Sequence, residues 1–241
     1  MDPKPTLRDF NLRIDATRHP RIALIHATAL AMGPIAHAFT KHAPKADIFH
    51  LLDDSLSKDH AKSGALTPQM IERFERLANY AWFTQADGIL FTCSAFGAAI
   101  DACAKATHKP VLKPNQAMFD QALKTSARGA VLHVGLVATF EPSIASMTEE
   151  FLSMAQSQGV DTHIHSYFVK QAMQDLTNGD EDLHHQKVSL AMPELQNCDV
   201  IMLAQFSMAA AKEACQTITP IPVLTSPDCA ALDMMTRLGQ P

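Results

Sequence analysis

The sequence carries one segment twice, at a fixed distance of 112 residues. Laid over each other without a gap, residues 87–114 and 199–226 agree at ten of 28 positions. The identical pairs are Asp87/Asp199, Ile89/Ile201, Ala98/Ala210, Ala99/Ala211, Ala102/Ala214, Cys103/Cys215, Thr107/Thr219, Pro110/Pro222, Val111/Val223 and Leu112/Leu224. The same offset places the apolar run 21–25 over 133–137. Solenoid repeats have periods of about 20–50 residues, so this longer period predicts an internal duplication into two similar halves.

Short apolar runs alternate with helix-like segments along the chain, as in residues 21–27, 46–52 and 87–91. This alternation is typical of βαβ units and a parallel sheet. Thr67 followed by Pro68 is typical of an N-cap and the first turn of a helix. The sequence therefore predicts an α/β fold made of two pseudo-symmetric, parallel-sheet α/β halves.

We place the boundary between the halves at about residue 127. The first half, 1–127, begins with an N-terminal extension over 1–19, and the second half, 128–241, ends in a C-terminal helix that could pack back on the first. Ligands of parallel sheets bind at the carboxyl ends of the strands. Two facing halves would bring two such ends together, so we expect the active site in a cleft between them.

Composition and charge narrow the range of partners and locations. Apolar residues make up 47%, charged residues 19%, and the net charge is −5. No basic run is present, so nucleic acid and anionic membranes are not expected partners. No apolar stretch approaches the roughly 18 residues of a membrane helix, and Met1–Asp15 lacks the apolar part of a signal peptide. Five cysteines without a CxxC pair fit reduced thiols. We expect a cytoplasmic protein, and its assembly into homo-oligomers is left open.

No pattern in the sequence indicates a cofactor or a metal. The chain has only nine glycines and neither a GxGxxG motif nor a P-loop, so a nucleotide cofactor is not expected. The cysteine spacings do not resemble a zinc site. The pairs His163/His165 and His184/His185 are interpreted as surface histidines. We therefore expect cofactor-independent catalysis without a metal.

Cys93 occupies the most informative position of the first half. It follows the apolar run 88–92 and precedes the small-residue stretch 94–99, so it lies at the end of a strand and before a helix. Free N–H groups at a helix N-terminus bind anions such as carboxylates, and the positive helix end lowers the pKa of a thiol. The position suits a nucleophile or a proton-abstracting base. The alternative is a small, buried apolar side chain.

Gln205 is the equivalent of Cys93 in the second half, because it lies 112 residues further on. It likewise ends an apolar run, 200–204. A buried glutamine must satisfy its amide with hydrogen bonds. The amide could donate a hydrogen bond to a substrate oxygen, but it cannot exchange a proton as a thiol does.

Five stretches of the chain resemble the aspartate/glutamate racemase superfamily, which also includes hydantoin racemases, maleate cis-trans isomerases and arylmalonate decarboxylases. They are RIALIHAT, LLDDSL, ADGILFTCSAFGAAI, VGLVAT and DVIMLAQFSMAA, and the resemblance covers about residues 20–235. It implies two facing halves that each offer one catalytic cysteine, at the places of Cys93 and Gln205. It also implies a small carboxylic-acid substrate whose carboxylate is held by groups that follow each cysteine. By position these groups are Ser94, Ala95, Phe206 and Ser207.

Polar residues at other strand ends are further candidates for substrate contact. His26 and Thr28 end the first strand and could line the cleft, with a structural histidine as an equal alternative. Thr139 ends the equivalent strand of the second half, and its hydroxyl could hold a carboxylate. Asn115 follows the fourth strand, where it either contacts substrate or caps a helix.

Glutamine in place of a second cysteine leaves three functions open. The first is an isomerase or racemase-like enzyme that acts on a small carboxylic acid through Cys93 alone, as maleate isomerase members use the cysteine of the first half. The second is a decarboxylase-like lyase with one cysteine, although the decarboxylases keep theirs in the second half. The third is a catalytically inactive carboxylate-binding protein, which would not need a reactive thiol.

Overall fold

The computed structural model describes residues 18–126 and 130–240. These residues form two four-stranded sheets, each with parallel strands and flanking helices. The predicted α/β fold with two halves is confirmed. None of the described helices combines the length and the apolar character that crossing a bilayer requires.

The first sheet is built from short strands that alternate with helices. Its strands are β1 (Arg21–His26), β2 (Asp47–Leu52), β3 (Gly88–Phe91) and β4 (Val111–Leu112), in the order β2-β1-β3-β4. The accompanying helices are α1 (Met32–His42), α2 (Ser55–Ser63), α3 (Pro68–Phe83) and α4 (Gly97–Lys105). The predicted N-cap is present, since the Thr67 hydroxyl accepts a hydrogen bond from the Met70 backbone N–H at 3.3 Å. One face of α3 places Phe74, Ala78 and Ala81 in the apolar core.

The second sheet repeats this order. Its strands are β5 (Leu132–Ala138), β6 (Thr162–Phe168), β7 (Val200–Leu203) and β8 (Val223–Thr225), in the order β6-β5-β7-β8. The helices are α5 (Gln116–Leu123), α6 (Pro142–Ser157), α7 (Ala172–Thr177), α8 (Glu181–Ser189), α9 (Lys212–Ile218) and α10 (Ser226–Arg237). Val200 and Met202 of β7 belong to one apolar cluster, and Ile201 and Leu203 to another. Both faces of this strand are therefore buried, as is usual in parallel sheets.

The duplicated residues occupy equivalent places in the two sheets. Asp87 accepts a hydrogen bond from the backbone N–H of Arg21 at 2.7 Å, and Asp199 accepts one from His133 at 2.8 Å. Each of these pairs joins the start of a central strand to the residue that precedes its neighbour. The identity of the two aspartates thus has a structural cause.

The offset of 112 does not extend to the edge strands. Arg21 pairs with Asp47 in the first sheet, whereas His133 pairs with His163 in the second. His163 lies 116 positions after Asp47, so the second half has four more residues between these two strands. The two sheets are equivalent in strand order and register, and they differ in the length of this connection.

The chain divides into two compact units. The first contains the described residues up to Met32, then Phe39–Pro114 and the chain from Leu232 onwards, and the second contains Gly33–Ala38 and Asn115–Ala231. The predicted boundary at 127/128 lies outside the described residues, as does most of the predicted N-terminal extension.

The C-terminal helix explains one difference between the repeats. Gly88 takes the place that Val200 has in the second sheet. A Cβ at residue 88 would lie 2.5 Å from the sulfur of Met234, which is a fully buried residue of α10. A larger residue at this position of β3 would therefore require Met234 to move.

Candidate functional site

Cys93 lies just beyond the carboxyl end of β3. It has an extended backbone, and the next three residues, Ser94–Phe96, form a 3-10 turn that leads into α4. Ser94 and Ala95 are exposed, and Cys93 is half-buried. The other four cysteines are buried. Cys93 is therefore the thiol that a small molecule in solution can reach most easily.

The environment of Cys93 raises the pKa of its thiol. Burial moves this pKa above the ordinary value of 9.0, and a backbone hydrogen bond from Ala95 counteracts the shift without reversing it. The N–H group lowers the pKa, as the sequence predicted, but burial raises it by more, so the expected net lowering is not found. A 3-10 turn separates Cys93 from α4, while the thiol packs against the apolar core of the first unit. Loss of water around the thiolate outweighs the single facing N–H.

Alkylation should nevertheless select Cys93. Burial raises the pKa of Cys103 to about 11 and that of Cys215 to about 12, and both lie within helices of the core. Iodoacetamide should therefore modify Cys93 first at mildly alkaline pH, because both exposure and thiolate content govern the rate. Peptide mapping by mass spectrometry measures the order of labelling. Faster labelling of Cys103 would contradict it.

His26 is held inside the first unit by two hydrogen bonds. Its Nδ1 lies 2.8 Å from the Thr92 hydroxyl, and its Nε2 lies 2.9 Å from Nδ1 of His50. Burial, assisted by repulsion from His50, lowers the pKa of His26 to about 4. His26 is therefore neutral at pH 7 and fixes the residue that precedes Cys93. This favours the structural alternative over direct substrate contact, since His26 has no exposed surface.

Thr28 caps a turn near the end of β1. Its side chain accepts a long hydrogen bond of 3.4 Å from the backbone N–H of Leu30, at the start of the 3-10 turn Ala29–Ala31. The residue is half-buried. Its predicted contact with substrate stays a prediction.

Gln205 follows β7 as Cys93 follows β3. Its Oε1 accepts hydrogen bonds from the backbone N–H of Thr139 at 2.9 Å and from the Thr139 hydroxyl at 3.1 Å. Its Nε2 donates to the Ser143 hydroxyl. Because a backbone N–H can only donate, the amide oxygen must face Thr139 and the NH₂ group must face Ser143. The amide therefore ties the end of β7 to the connection between β5 and α6.

This arrangement uses the Thr139 hydroxyl within the second unit. Thr139 is 4% exposed, and its single hydroxyl proton points to Gln205. It cannot donate to a substrate carboxylate while that bond is in place. Phe206 is buried and Ser207 is half-buried in the 3-10 turn that follows. The predicted substrate contacts of Thr139, Phe206 and Ser207 therefore depend on the hydrogen bonds that the Gln205 amide makes.

Asn115 is buried at the start of α5. Its Oδ1 accepts a hydrogen bond of 2.9 Å from the hydroxyl of Ser226, the first residue of α10. Its side chain makes no capping hydrogen bond to α5. Asn115 thus occupies the N-cap position of α5, one of the two alternatives, while its side-chain amide links two helix starts of the second unit.

Three residues of these networks were missed by the sequence analysis, namely His50, Thr92 and Ser143. His50 lies two residues before Leu52, the register partner of His26, so only the strand pairing brings the two rings together. The position of Ser143 could have been predicted from the sequence, because this residue follows a proline in the first turn of the helix after β5.

The interpretation of the paired histidines as surface residues is wrong for His184. This residue is fully buried, and neither ring nitrogen has a hydrogen-bond partner among the described residues. Burial, followed by repulsion from His185, lowers its pKa to about 4. His163 is exposed as expected, whereas His165 is half-buried and stacks on His133. Within residues 18–126 and 130–240, His133, His163 and His165 form the one group of histidine, cysteine or carboxylate side chains whose ligand atoms are close enough together to hold a metal ion.

The fold and the two strand ends define a class of protein. Two duplicated parallel α/β units, with a reachable thiol after the third strand of the first, match part of what the resemblance to aspartate/glutamate racemases implies. The profile of the Asp/Glu/Hydantoin racemase family matches residues 24–231. The chain belongs to this family, and its enzyme class is that of the isomerases.

Solved racemase structures share the fold at low sequence identity. A putative Asp/Glu racemase from Yersinia pestis has a TM-score of 0.67 at 14% identity, over 92% of this chain and 100% of that chain. Allantoin racemase from Klebsiella pneumoniae has a TM-score of 0.63 at 14% identity, over 92% and 89%. Glutamate racemase from Francisella tularensis in complex with D-glutamate has a TM-score of 0.61 at 15% identity, over 92% and 81%. Such identities show the fold alone. No curated protein matches the sequence significantly.

Proposed function

We propose that the protein is a cofactor-independent isomerase that acts on a small carboxylic acid through one acid–base thiol, that of Cys93. The observation that carries the proposal is the difference between two equivalent strand ends. A half-exposed thiol follows β3, and an amide held by Thr139 and Ser143 follows β7. A thiol can take up and return a proton near neutral pH, whereas a primary amide cannot.

The substrate class rests on the family and on the neighbours. One neighbour holds D-glutamate, a small carboxylic acid with a hydrogen on the carbon next to its carboxylate. We propose a substrate of this kind. The carboxylate contacts are proposed at Ser94 and Ala95 in the first unit and at Phe206 and Ser207 in the second. The exposure of Ser94 and Ala95 in the turn that precedes α4 supports the first pair. All five cysteines are reduced, which supports the cytoplasm as the location.

The proposed reaction needs one proton carrier and solvent. The Cys93 thiolate removes the proton from the carbon next to the carboxylate, and the electron pair of that C–H bond remains on the substrate as a carbanion. Return of the same proton regenerates the substrate, whereas return of a proton that the Cys93 thiol has first exchanged with solvent labels the substrate without inverting it. Protonation from the opposite side by water gives the other stereoisomer, and Cys93 then loses its proton to solvent. Exchange with solvent should therefore be faster than inversion.

A proton-exchange screen in deuterated water tests this function. The panel contains amino acids, hydantoins, malonates and maleate, with NMR following deuterium incorporation and polarimetry following inversion. We expect exchange on at least one carboxylate that exceeds its inversion. Rapid inversion of free aspartate or glutamate without excess exchange would contradict a single-thiol mechanism.

The pH dependence separates the isomerase from the lyase. The pKa of Cys93 is raised, so the thiol is protonated near neutral pH. An isomerase that needs the thiolate should gain about tenfold in kcat/KM per pH unit below that pKa. In a decarboxylase-like lyase, the thiol would instead act in its protonated form and donate its proton. Its rate should be flat up to the pKa and fall above it, so a kcat/KM profile from pH 6 upwards decides between the two.

A further inference from the structure

Three imidazoles converge near the amino-terminal end of the second sheet. His133 is the second residue of β5, and His163 and His165 belong to β6. One ring nitrogen of each lies within 4.8 Å of the others. Nε2 of His165 is 3.1 Å from Nδ1 of His133 and 3.1 Å from Nδ1 of His163. This group, called the three-histidine cluster, lies away from Thr139, which follows the opposite end of β5 about 20 Å further along the strand.

The strand pairing explains why the rings meet. His133 is the register partner of His163, and Gly135 is the partner of His165. Paired residues of neighbouring strands, and residues two apart along one strand, point to the same face of a sheet. All three side chains therefore project from one face within a small area.

The ring nitrogens cannot all be satisfied by one another. A neutral imidazole has one N–H donor and one lone pair. Nε2 of His165 faces two other ring nitrogens, and it can make one good hydrogen bond at a time. A bound cation would accept lone pairs from all three rings at once.

The observed distances fit such a cation. Two imidazole nitrogens, each about 2.05 Å from a tetrahedral zinc ion, are about 3.3 Å apart. The two separations of 3.1 Å in the structure are close to this value. The third pair of ligand nitrogens lies within 4.8 Å, so at most about 1.5 Å of approach brings it to the tetrahedral spacing.

The backbone beneath the cluster is firmly held. The His133 N–H donates to the Asp199 carboxylate at 2.8 Å, and the His133 carbonyl accepts from the Asp199 N–H at 2.7 Å. Seven register pairs join β5 and β6. Ligands on such strands are positioned more accurately than ligands on loops.

The first unit shows what the same positions do without histidines. The register makes Arg21, Asp47 and Phe49 the equivalents of His133, His163 and His165. Arg21 pairs with Asp47 at 3.4 Å, and its guanidinium lies 5.1 Å from the centre of the Phe49 ring. The fold therefore needs only an ordinary surface contact here, and the three histidines of the second unit are not required by it.

We propose that His133, His163 and His165 bind a divalent transition-metal ion, with zinc as the probe, in a site separate from the proposed catalytic thiol. Imidazole nitrogen is a preferred ligand of zinc, and three of them leave a fourth position for water or another ligand. The exposure of His163 gives the ion a path from solvent. At this end of the strands, the ion is expected to stabilise the second unit and to take no part in proton transfer.

Calorimetric titration of the full chain with zinc chloride tests the site. The protein must carry no polyhistidine tag and must first be stripped with a chelator. We expect one zinc ion per chain and a higher melting temperature with zinc, because a ligand of the native state stabilises it. His163→Ala and His165→Phe should each weaken binding by about 100-fold or more, since loss of even an outer-shell partner costs about 10–100-fold. His165→Phe introduces the residue that the first unit has at this position.

The matched control removes a histidine elsewhere. His108→Ala, at an exposed position of the first unit, should bind zinc like the wild type. Cobalt reports the ligand type, because a cysteine ligand adds an intense thiolate-to-metal absorption band that three imidazoles lack. No binding of zinc by the wild type would overturn the proposal. So would unchanged affinity in both cluster variants, or a thiolate band that disappears in Cys93→Ala.

Discussion

Replacement of Cys93 by serine should lower the rate of substrate proton exchange by about 10²- to 10⁴-fold, the usual contribution of a positioned acid–base group. A serine hydroxyl fits the space of the thiol but does not ionise at accessible pH. The exchange rate in deuterated water, followed by NMR on whichever carboxylate the wild type accepts, measures the effect. The KM should change little, since backbone N–H groups of the following turn are proposed to hold the carboxylate.

A second cysteine variant provides the control for this experiment. Cys103 lies in α4 of the same unit and is buried in its core. Cys103→Ala removes a thiol without touching the end of β3, so it should retain exchange activity at a modest cost in stability. Circular dichroism and thermal melting show whether either variant has lost its fold. Wild-type exchange in a folded Cys93→Ser would exclude Cys93 as the acid–base group.

The architecture could be predicted from the sequence because the repeated residues make hydrogen bonds and apolar contacts that both sheets require. Asp87 and Asp199 each bond the backbone at the start of a central strand. The apolar runs before Cys93 and Gln205 are buried strands that end where the pattern ends. Features that depend on a single strand or helix start were therefore accessible without a structure.

Features that depend on strand register were not accessible. His26 and His50 are 24 residues apart and meet only because β1 and β2 pair in one particular register. His163 and His165 looked like an isolated pair until β5 placed His133 beside them. Likewise, the sequence indicated the helix start after Cys93 but not the burial that raises the pKa of its thiol. Local sequence patterns show which groups are charged and where a helix begins. The loss of water around a side chain depends on the residues that pack against it in the folded protein.

Gln205→Cys should raise the rate of racemisation, because the family resemblance implies that positions 93 and 205 serve one substrate. The change supplies a second group that can exchange a proton, and a positioned group of this kind contributes about 10²- to 10⁴-fold. The substitution also has a structural cost. The thiol sulfur would lie near the place of the glutamine Cγ, two bonds short of the amide oxygen. The buried N–H and hydroxyl of Thr139 would then lose their acceptor, and each unsatisfied group costs about 1–3 kcal/mol.

Gln205→Ala separates the two effects, because it removes the same hydrogen bonds and adds no thiol. Both variants should lose similar stability in thermal melting, and only Gln205→Cys should gain inversion in polarimetry, at least about tenfold over Gln205→Ala. If Gln205 instead donates a hydrogen bond to substrate through its remaining N–H, both variants should lose native turnover by about 10²-fold. Gln205→Glu refines this comparison, since it keeps the two bonds from Thr139 and loses the N–H groups. Equal inversion rates in Gln205→Cys and Gln205→Ala would mean that position 205 does not face the reacting carbon, and the proposed pairing of the two strand ends would then be wrong.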